Sequence, residues 1–242
     1  MSILTLQIEF LTFESTMTFD PSKVQAIFFD IDGTLADTDD QYIRRVSELL
    51  RPFHWLFPRH DPTPFLRWGL MFAESPLNAL VGIPDQLGID DQLVAVYYRL
   101  SDLFKRRPVG HFVIMAGVEV MLEQLAARYP LAIISVRPER NTTAFLKQFE
   151  LEKFFQVVVS GQTARHTKPY PDPVQWAAQA LGIPVERCVM VGDTTVDILA
   201  GKRAGAQTVG VLCGFGERAE LERTGANLIL ETTAQLGEVL LK

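Results

Sequence analysis

The sequence predicts an α/β fold, a doubly wound parallel sheet with a second, mostly helical domain inserted after its first strand. Three observations carry that expectation. Short, continuous apolar runs recur along the chain, the pattern of strands buried on both faces of a parallel sheet. Amphipathic helical stretches alternate with these runs, as βαβ units require. Between about residues 37 and 115 the alternation stops, and it resumes afterwards.

Taken in order, residues 1–22 read as an N-terminal extension outside the fold. Met1–Phe13 is fairly apolar, but it lacks a basic opening region, contains Glu9 and offers no small-residue cleavage site. It is also shorter than the roughly 20 apolar residues of a membrane span. Met17 offers an alternative start. Residues 23–36 and 116–242 form the expected core domain. Its strands are Ala26–Asp30, Leu131–Ser135, Gln156–Ser160, Cys188–Gly192 and Thr208–Leu212. Helical spacing marks Val118–Tyr129, with Val118, Met121, Leu122, Leu125 and Ala126 on one face, and also Pro173–Leu181 and Val196–Ala204. Residues 37–115 are rich in aromatics, among them Phe53, Trp55, Phe65, Trp68 and Tyr97, with helical stretches at Gln41–Arg51 and Gln92–Arg106. Those aromatics are expected to form the insert's own core.

The 242 residues are 48% hydrophobic and 21% charged, enough for one large domain or a core with an insert. A formal net charge of -6 argues against a polyanionic partner such as nucleic acid. Cys188 and Cys213 are too few for a disulfide framework and lack metal-ligand spacing. They read as buried or half-buried thiols of a cytoplasmic protein with no membrane segment.

In open parallel sheets ligands bind beyond the carboxyl ends of the strands. The residues with chemistry to offer all stand there. Asp30-Ile31-Asp32-Gly33-Thr34-Leu35 follows the first strand. Two carboxylates so close repel each other, and a divalent cation relieves the repulsion. Mg²⁺ takes one or two carboxylates together with substrate phosphate. Ser135 closes the second strand, Lys168 sits in Lys168-Pro169-Tyr170-Pro171-Asp172-Pro173, and Gly192-Asp193-Thr194-Thr195-Val196-Asp197 follows the fourth. The helix after Asp193 would bring its positive N-terminal end to an anionic site.

Asp-x-Asp-Gly-Thr after an apolar strand, followed in order by the Ser, Lys and Asp segments, resembles the haloacid dehalogenase-like hydrolase superfamily, in its phosphoglycolate phosphatase-like branch. The resemblance covers about residues 24–216, the insert matching by position as a helical type 1 cap with its hinge near Asp37, Asp39 and Asp40. It implies a Rossmann-like core and a Mg²⁺-dependent phosphatase that hydrolyses a small phosphorylated metabolite through an aspartyl-phosphate. Asp30 is then the nucleophile, Asp32 the general acid and base, and Lys168 the cation that offsets their charge. Asp30, Asp32 and Asp193 are implied metal ligands, with Asp197 a further ligand or a support for one. Ser135 and the Val136 N–H are implied substrate contacts, with Thr34 and Arg137 as further candidates. The family often has Asn after the Ser, and Val136 departs from that. Arg137 reads either as a bidentate anion contact or as a solvated arginine. A sugar-phosphate mutase of the same fold and a silent phospho-ligand binder are the alternatives. The expected assembly is a monomer or small homo-oligomer. Lys105-Arg106-Arg107 reads as a solvated face, and the four histidines show no paired spacing.

Overall fold

The computed structural model describes residues 19–37, 50–57, 62 and 112–242. Six parallel strands form one sheet: β1 (Ala26–Phe29), β2 (Leu131–Ile134), β3 (Phe155–Val159), β4 (Cys188–Gly192), β5 (Gln207–Val211) and β6 (Leu228–Leu230). Their order is β3-β2-β1-β4-β5-β6, so the winding reverses between β1 and β4. A crevice opens at such a reversal, beyond the carboxyl ends of the strands. The described helices are α1 (Val118–Ala126), α2 (Glu139–Gln148), α3 (Asp172–Leu181), α4 (Thr195–Ala204), α5 (Arg218–Thr224) and α6 (Leu236–Leu240).

The central strands are apolar throughout because both faces are covered. Ile27, Phe29, Leu131, Ile133, Val189 and Val191 face one core with Val118, Leu122 and Leu125 of α1, Phe145 of α2 and Leu236 of α6. Ala26, Phe28, Ala132, Ile134 and Met190 face the other, against Val174, Ala177 and Ala178 of α3 and Ala200 and Ala204 of α4. The small residues of α3 and α4 let these helices lie close to the sheet, while Phe28 and Met190 fill the space between.

Edge elements are where sequence pattern and structure part. β3, on the sheet's edge, alternates between buried or half-buried and exposed residues instead of being buried throughout. β6 was not expected: three half-buried residues make no run long enough to mark a strand, and only pairing with β5 through Val209, Gly210 and Val211 defines it. α2 is mainly polar, and its helical face rests on Thr142, Phe145 and Leu146 alone.

The last residues of the N-terminal extension are attached to this core. Phe19 packs against it, and the Asp20 backbone exchanges two hydrogen bonds with the Gln207 side chain, 2.7 and 3.0 Å. The chain leaves toward the insert and returns from it side by side. The Met115 N–H donates to the Leu35 carbonyl at 2.9 Å and the Asp37 N–H to the Val113 carbonyl at 2.8 Å, around an antiparallel bridge of Ala36 with Ile114. The helical stretches expected at Gln41–Arg51, but for its last two residues, and at Gln92–Arg106 lie outside the described residues, as do Lys105–Arg107, Asp39 and Asp40. Within the insert a 3₁₀ helix spans Arg51–Leu56 and leaves Phe53 and Trp55 exposed, against the expectation of a shared aromatic core. With three residues per turn its side chains fan out in all directions, so it cannot bury every aromatic at once. Among the described residues no helix is long and apolar enough to cross a membrane.

Neither cysteine forms a disulfide. Burial pushes the Cys188 thiol up to about 12 and raises that of Cys213 as well. Only the thiolate reacts, and at pH 8 its share at Cys188 is on the order of one in ten thousand. Native Cys188 is therefore expected to resist iodoacetamide at pH 8 and to react rapidly in urea, as peptide mapping would report. Rapid labelling without denaturant would contradict its burial.

Candidate active site

Asp30 stands at the tip of β1, its N–H bonded to the Val191 carbonyl of β4 at 3.0 Å. That bond sets its carboxylate over the crevice where the winding reverses. Lys168 comes from the loop between β3 and α3. Its ammonium lies 2.7 Å from Asp30 Oδ1 and 2.6 Å from Asp197 Oδ1, with 3% of the side chain exposed. The loop that carries it is braced. Its Pro169 carbonyl accepts from Arg203 Nη1 at 3.1 Å, His166 Nδ1 meets Asp172 Oδ1 at 2.8 Å, and the His166 ring stacks on Tyr170.

Asp197 lies in the first turn of α4 and serves two neighbours. Its Oδ2 accepts from the Thr194 N–H at 3.1 Å and the Thr194 hydroxyl at 2.7 Å, part of a capping box, while Oδ1 holds Lys168. Asp193, 1% exposed, ends β4. Its Oδ2 accepts from the Phe215 N–H at 2.9 Å, and Thr34 Oγ1 approaches Oδ1 at 3.4 Å. Glycine is required around it. Gly33 turns with φ +70°, and a Cβ there or at Gly214 would collide with the Asp193 carboxylate.

Carboxylate oxygens of Asp30, Asp193 and Asp197 all lie within 4.8 Å of one another, a group able to hold a metal ion. The donor set suits a hard cation that prefers oxygen. Each of the three already has partners: Asp197 on both oxygens, Asp193 through Phe215 and Thr34, and Asp30 through Lys168. Asp32, expected among the ligands, stands outside the group. Its carboxylate is paired with Arg137, whose Nε and Nη2 donate to one oxygen each.

Burial pushes the Asp30 carboxyl up to about 7; Lys168 pulls against this, and the charges of Asp197 and Asp32 add to it. For Lys168 burial alone would lower the ammonium's pKa, but Asp197 and Asp30 overcome it and hold the group above its ordinary value. The lysine stays a cation.

Ser135 closes β2, almost fully buried, with its N–H on the Val159 carbonyl at 2.9 Å and its Oγ accepting from the Arg137 N–H at 3.2 Å. Val136 is exposed. Thr34, expected to touch substrate, is wholly buried here, with its hydroxyl turned to Asp193 and its carbonyl accepting from Thr233 Oγ1 at 2.6 Å. The structure thus gathers Asp30, Lys168, Asp193 and Asp197 in one cluster and sets Asp32 and Arg137 beside it. Sequence reasoning passed over Gly214, Phe215 and Thr233. The available signal was the pair of glycines, Gly214 and Gly216, that flank Phe215 shortly after β5.

A family model described as haloacid dehalogenase-like hydrolase matches residues 27–211. The chain belongs to that family. Pyrophosphatase PpaX of Bacillus cereus (strain AH820) is 30% identical over 229 residues, which cover 90% of this chain and 97% of that protein. Among solved structures, a haloacid dehalogenase-like family hydrolase of Streptococcus pneumoniae aligns with TM-score 0.63 at 23% identity, covering 90% of this chain and 99% of that one. A provisionally named beta-phosphoglucomutase of Thermotoga maritima aligns with TM-score 0.60 at 26% identity, with the same coverage of 90% and 99%. Within the haloacid dehalogenase-like family this chain is a phosphatase-type hydrolase.

Removing only the cation tests the electrostatics of the cluster. Lys168→Met leaves three buried carboxylates without their counter-charge, and breaking a buried pair costs about 3–5 kcal/mol. Urea unfolding without divalent cations is expected to show a loss of that size. A loss below about 1 kcal/mol would mean that the carboxylates take up protons instead.

Proposed function

We propose that this chain is a Mg²⁺-dependent phosphatase that hydrolyses a small phosphorylated metabolite through an aspartyl-phosphate on Asp30. The observation that carries the proposal is the buried contact of Lys168 with Asp30 and Asp197 beside Asp193, at the carboxyl ends of β1 and β4. Such a constellation sets a carboxylate nucleophile against a fixed positive charge. Positioning and electrostatic stabilisation supply most of the acceleration in phosphoryl transfer.

In the first step an Asp30 carboxylate oxygen forms a bond to phosphorus as the bond to the leaving oxygen breaks. Asp32 gives that oxygen a proton. In the second step Asp32 takes a proton from water, whose oxygen attacks phosphorus and returns Asp30 as a carboxylate with release of inorganic phosphate. Lys168 balances charge on Asp30 throughout, and Asp197 fixes Lys168. The Ser135 hydroxyl and the Val136 N–H are suited to bind phosphoryl oxygens. Asp30 and Asp193 would hold Mg²⁺, which when bound supplies positive charge against the phosphoryl oxygens.

Residues 37–115 are read as a helical cap that closes over the crevice and sets substrate choice. The paired exit and return of the chain at residues 35–37 and 113–115 support this reading. The name of the Bacillus relative makes inorganic pyrophosphate the first substrate to try. The likeness to a provisionally named beta-phosphoglucomutase keeps a mutase as the second reading, in which the phosphoryl group returns to substrate instead of water.

The test is phosphate release from pyrophosphate, phosphoglycolate and p-nitrophenyl phosphate, with and without Mg²⁺. Wild type is expected to release phosphate stoichiometrically, only with Mg²⁺ and without a bisphosphate activator. Asp30→Asn should lose on the order of a thousandfold or more in kcat with unchanged melting. Appreciable turnover by that variant would sink the nucleophile assignment. Asp193→Ala is expected to shift the Mg²⁺ titration to higher concentration, and an unshifted titration would remove it from the ligands.

A further inference from the structure

Arg137 is held along its whole length. Its N–H donates to Ser135 Oγ at 3.2 Å, and its carbonyl accepts from the Gly161 N–H at 2.8 Å. Its guanidinium carbon lies 4.9 Å from the centroid of the Phe112 ring. Phe112 is itself fixed, edge-on to Phe145 at 5.5 Å, with its N–H and carbonyl both bonded to the Gln148 amide. The side chain is only 15% exposed, and its fork covers both carboxylate oxygens of Asp32.

That arrangement sets a problem for the proposed reaction. The leaving oxygen has to reach the Asp32 carboxylate, and both oxygens of that carboxylate lie under the guanidinium. The other cation of the site does not relieve this, since Lys168 is committed to Asp30 and Asp197. A fork that fits a carboxylate also fits a phosphate, in the same two-bond geometry. A leaving group with an anion of its own can therefore replace Asp32 on Arg137, one charged pair for another. A leaving group without one has to share Asp32 with the guanidinium and gives Arg137 no anion in return.

We propose that Arg137 is a specificity-determining residue: it takes a second anionic group, phosphate or carboxylate, on the leaving side of the substrate, and releases Asp32 as it does so. This rests on the phosphatase reading and narrows it to pyrophosphate-like anhydrides and to phosphate esters that bear a nearby acid group.

Binding tests this apart from turnover. Methylenediphosphonate and phosphonoacetate carry the second anion as phosphonate and as carboxylate, and methylphosphonate carries none. Titration calorimetry of the full chain in Mg²⁺ is expected to show wild type favouring the first two by about tenfold to hundredfold, the usual strength of charged hydrogen bonds. Comparing those two shows which anion the site prefers. Arg137→Ala should lose that preference, and Arg137→Lys should regain part of it, which also guards against a poorly folded alanine variant. Steady-state kinetics should agree: for Arg137→Ala, kcat/KM for pyrophosphate and phosphoglycolate falls at least about tenfold relative to phenyl phosphate, chiefly through KM. Equal weakening toward all three ligands would make Arg137 a support for Asp32 and overturn the proposal, as would a wild type that does not discriminate. A wild type that binds through Arg137 yet releases no phosphate would sink the phosphatase reading and leave only the anion site on Arg137 standing.

Discussion

The buried ammonium of Lys168 is the contact on which the rest of the site depends. Three carboxylates cannot share a water-poor crevice without a counter-charge, and this lysine reaches two of them at once. Its location is costly in the absence of those partners, so cation and anions fix each other. Around it the fold supplies the remaining constraints. Asp197 is clamped by the first turn of α4, Asp193 by the Phe215 N–H, and Asp30 by the β1–β4 ladder. Side chains held this firmly need little rearrangement when charge develops.

The same economy separates two kinds of carboxylate. Asp30, Asp193 and Asp197 are sealed between strand ends and helix α4, where burial raises the Asp30 carboxyl. Asp32, two residues from Asp30, is 35% exposed on its side chain and paired with an arginine instead of the lysine. One short loop therefore presents two acids in unlike surroundings. Unlike surroundings are what allow two acids to take different parts in one reaction.

Much of this was legible in the sequence, for physical reasons. β1, β2 and β4 are buried on both faces, so their apolar runs could hardly be anything else, and Asp30, Ser135 and Asp193 follow them directly. Lys168 and Asp197 were found by family resemblance; composition alone marks a lysine as solvated, and only the fold makes it buried. Where the pattern is weak, the reading failed. β6 has three residues and depends on β5 for its existence, and α2 rests on three side chains. The contact of Thr34 with Asp193 was not legible, because a hydroxyl beside a motif can turn inward as readily as outward. The partner of Arg137 was invisible for a different reason: Asp32 is 105 positions away, and no local rule links them.

The paired strands at residues 35–37 and 113–115 have a consequence for how such a protein can change over time. They bring the two ends of a long excursion together at the rim of the sheet, so the strands below are indifferent to its length. Closing a loop grows costlier only logarithmically, by about 0.6 kcal/mol for each doubling. Material can be gained, lost or rewritten between those ends while the register of β1 against β2 and β4 stands. Divergence is then cheap above the neck and expensive beneath it.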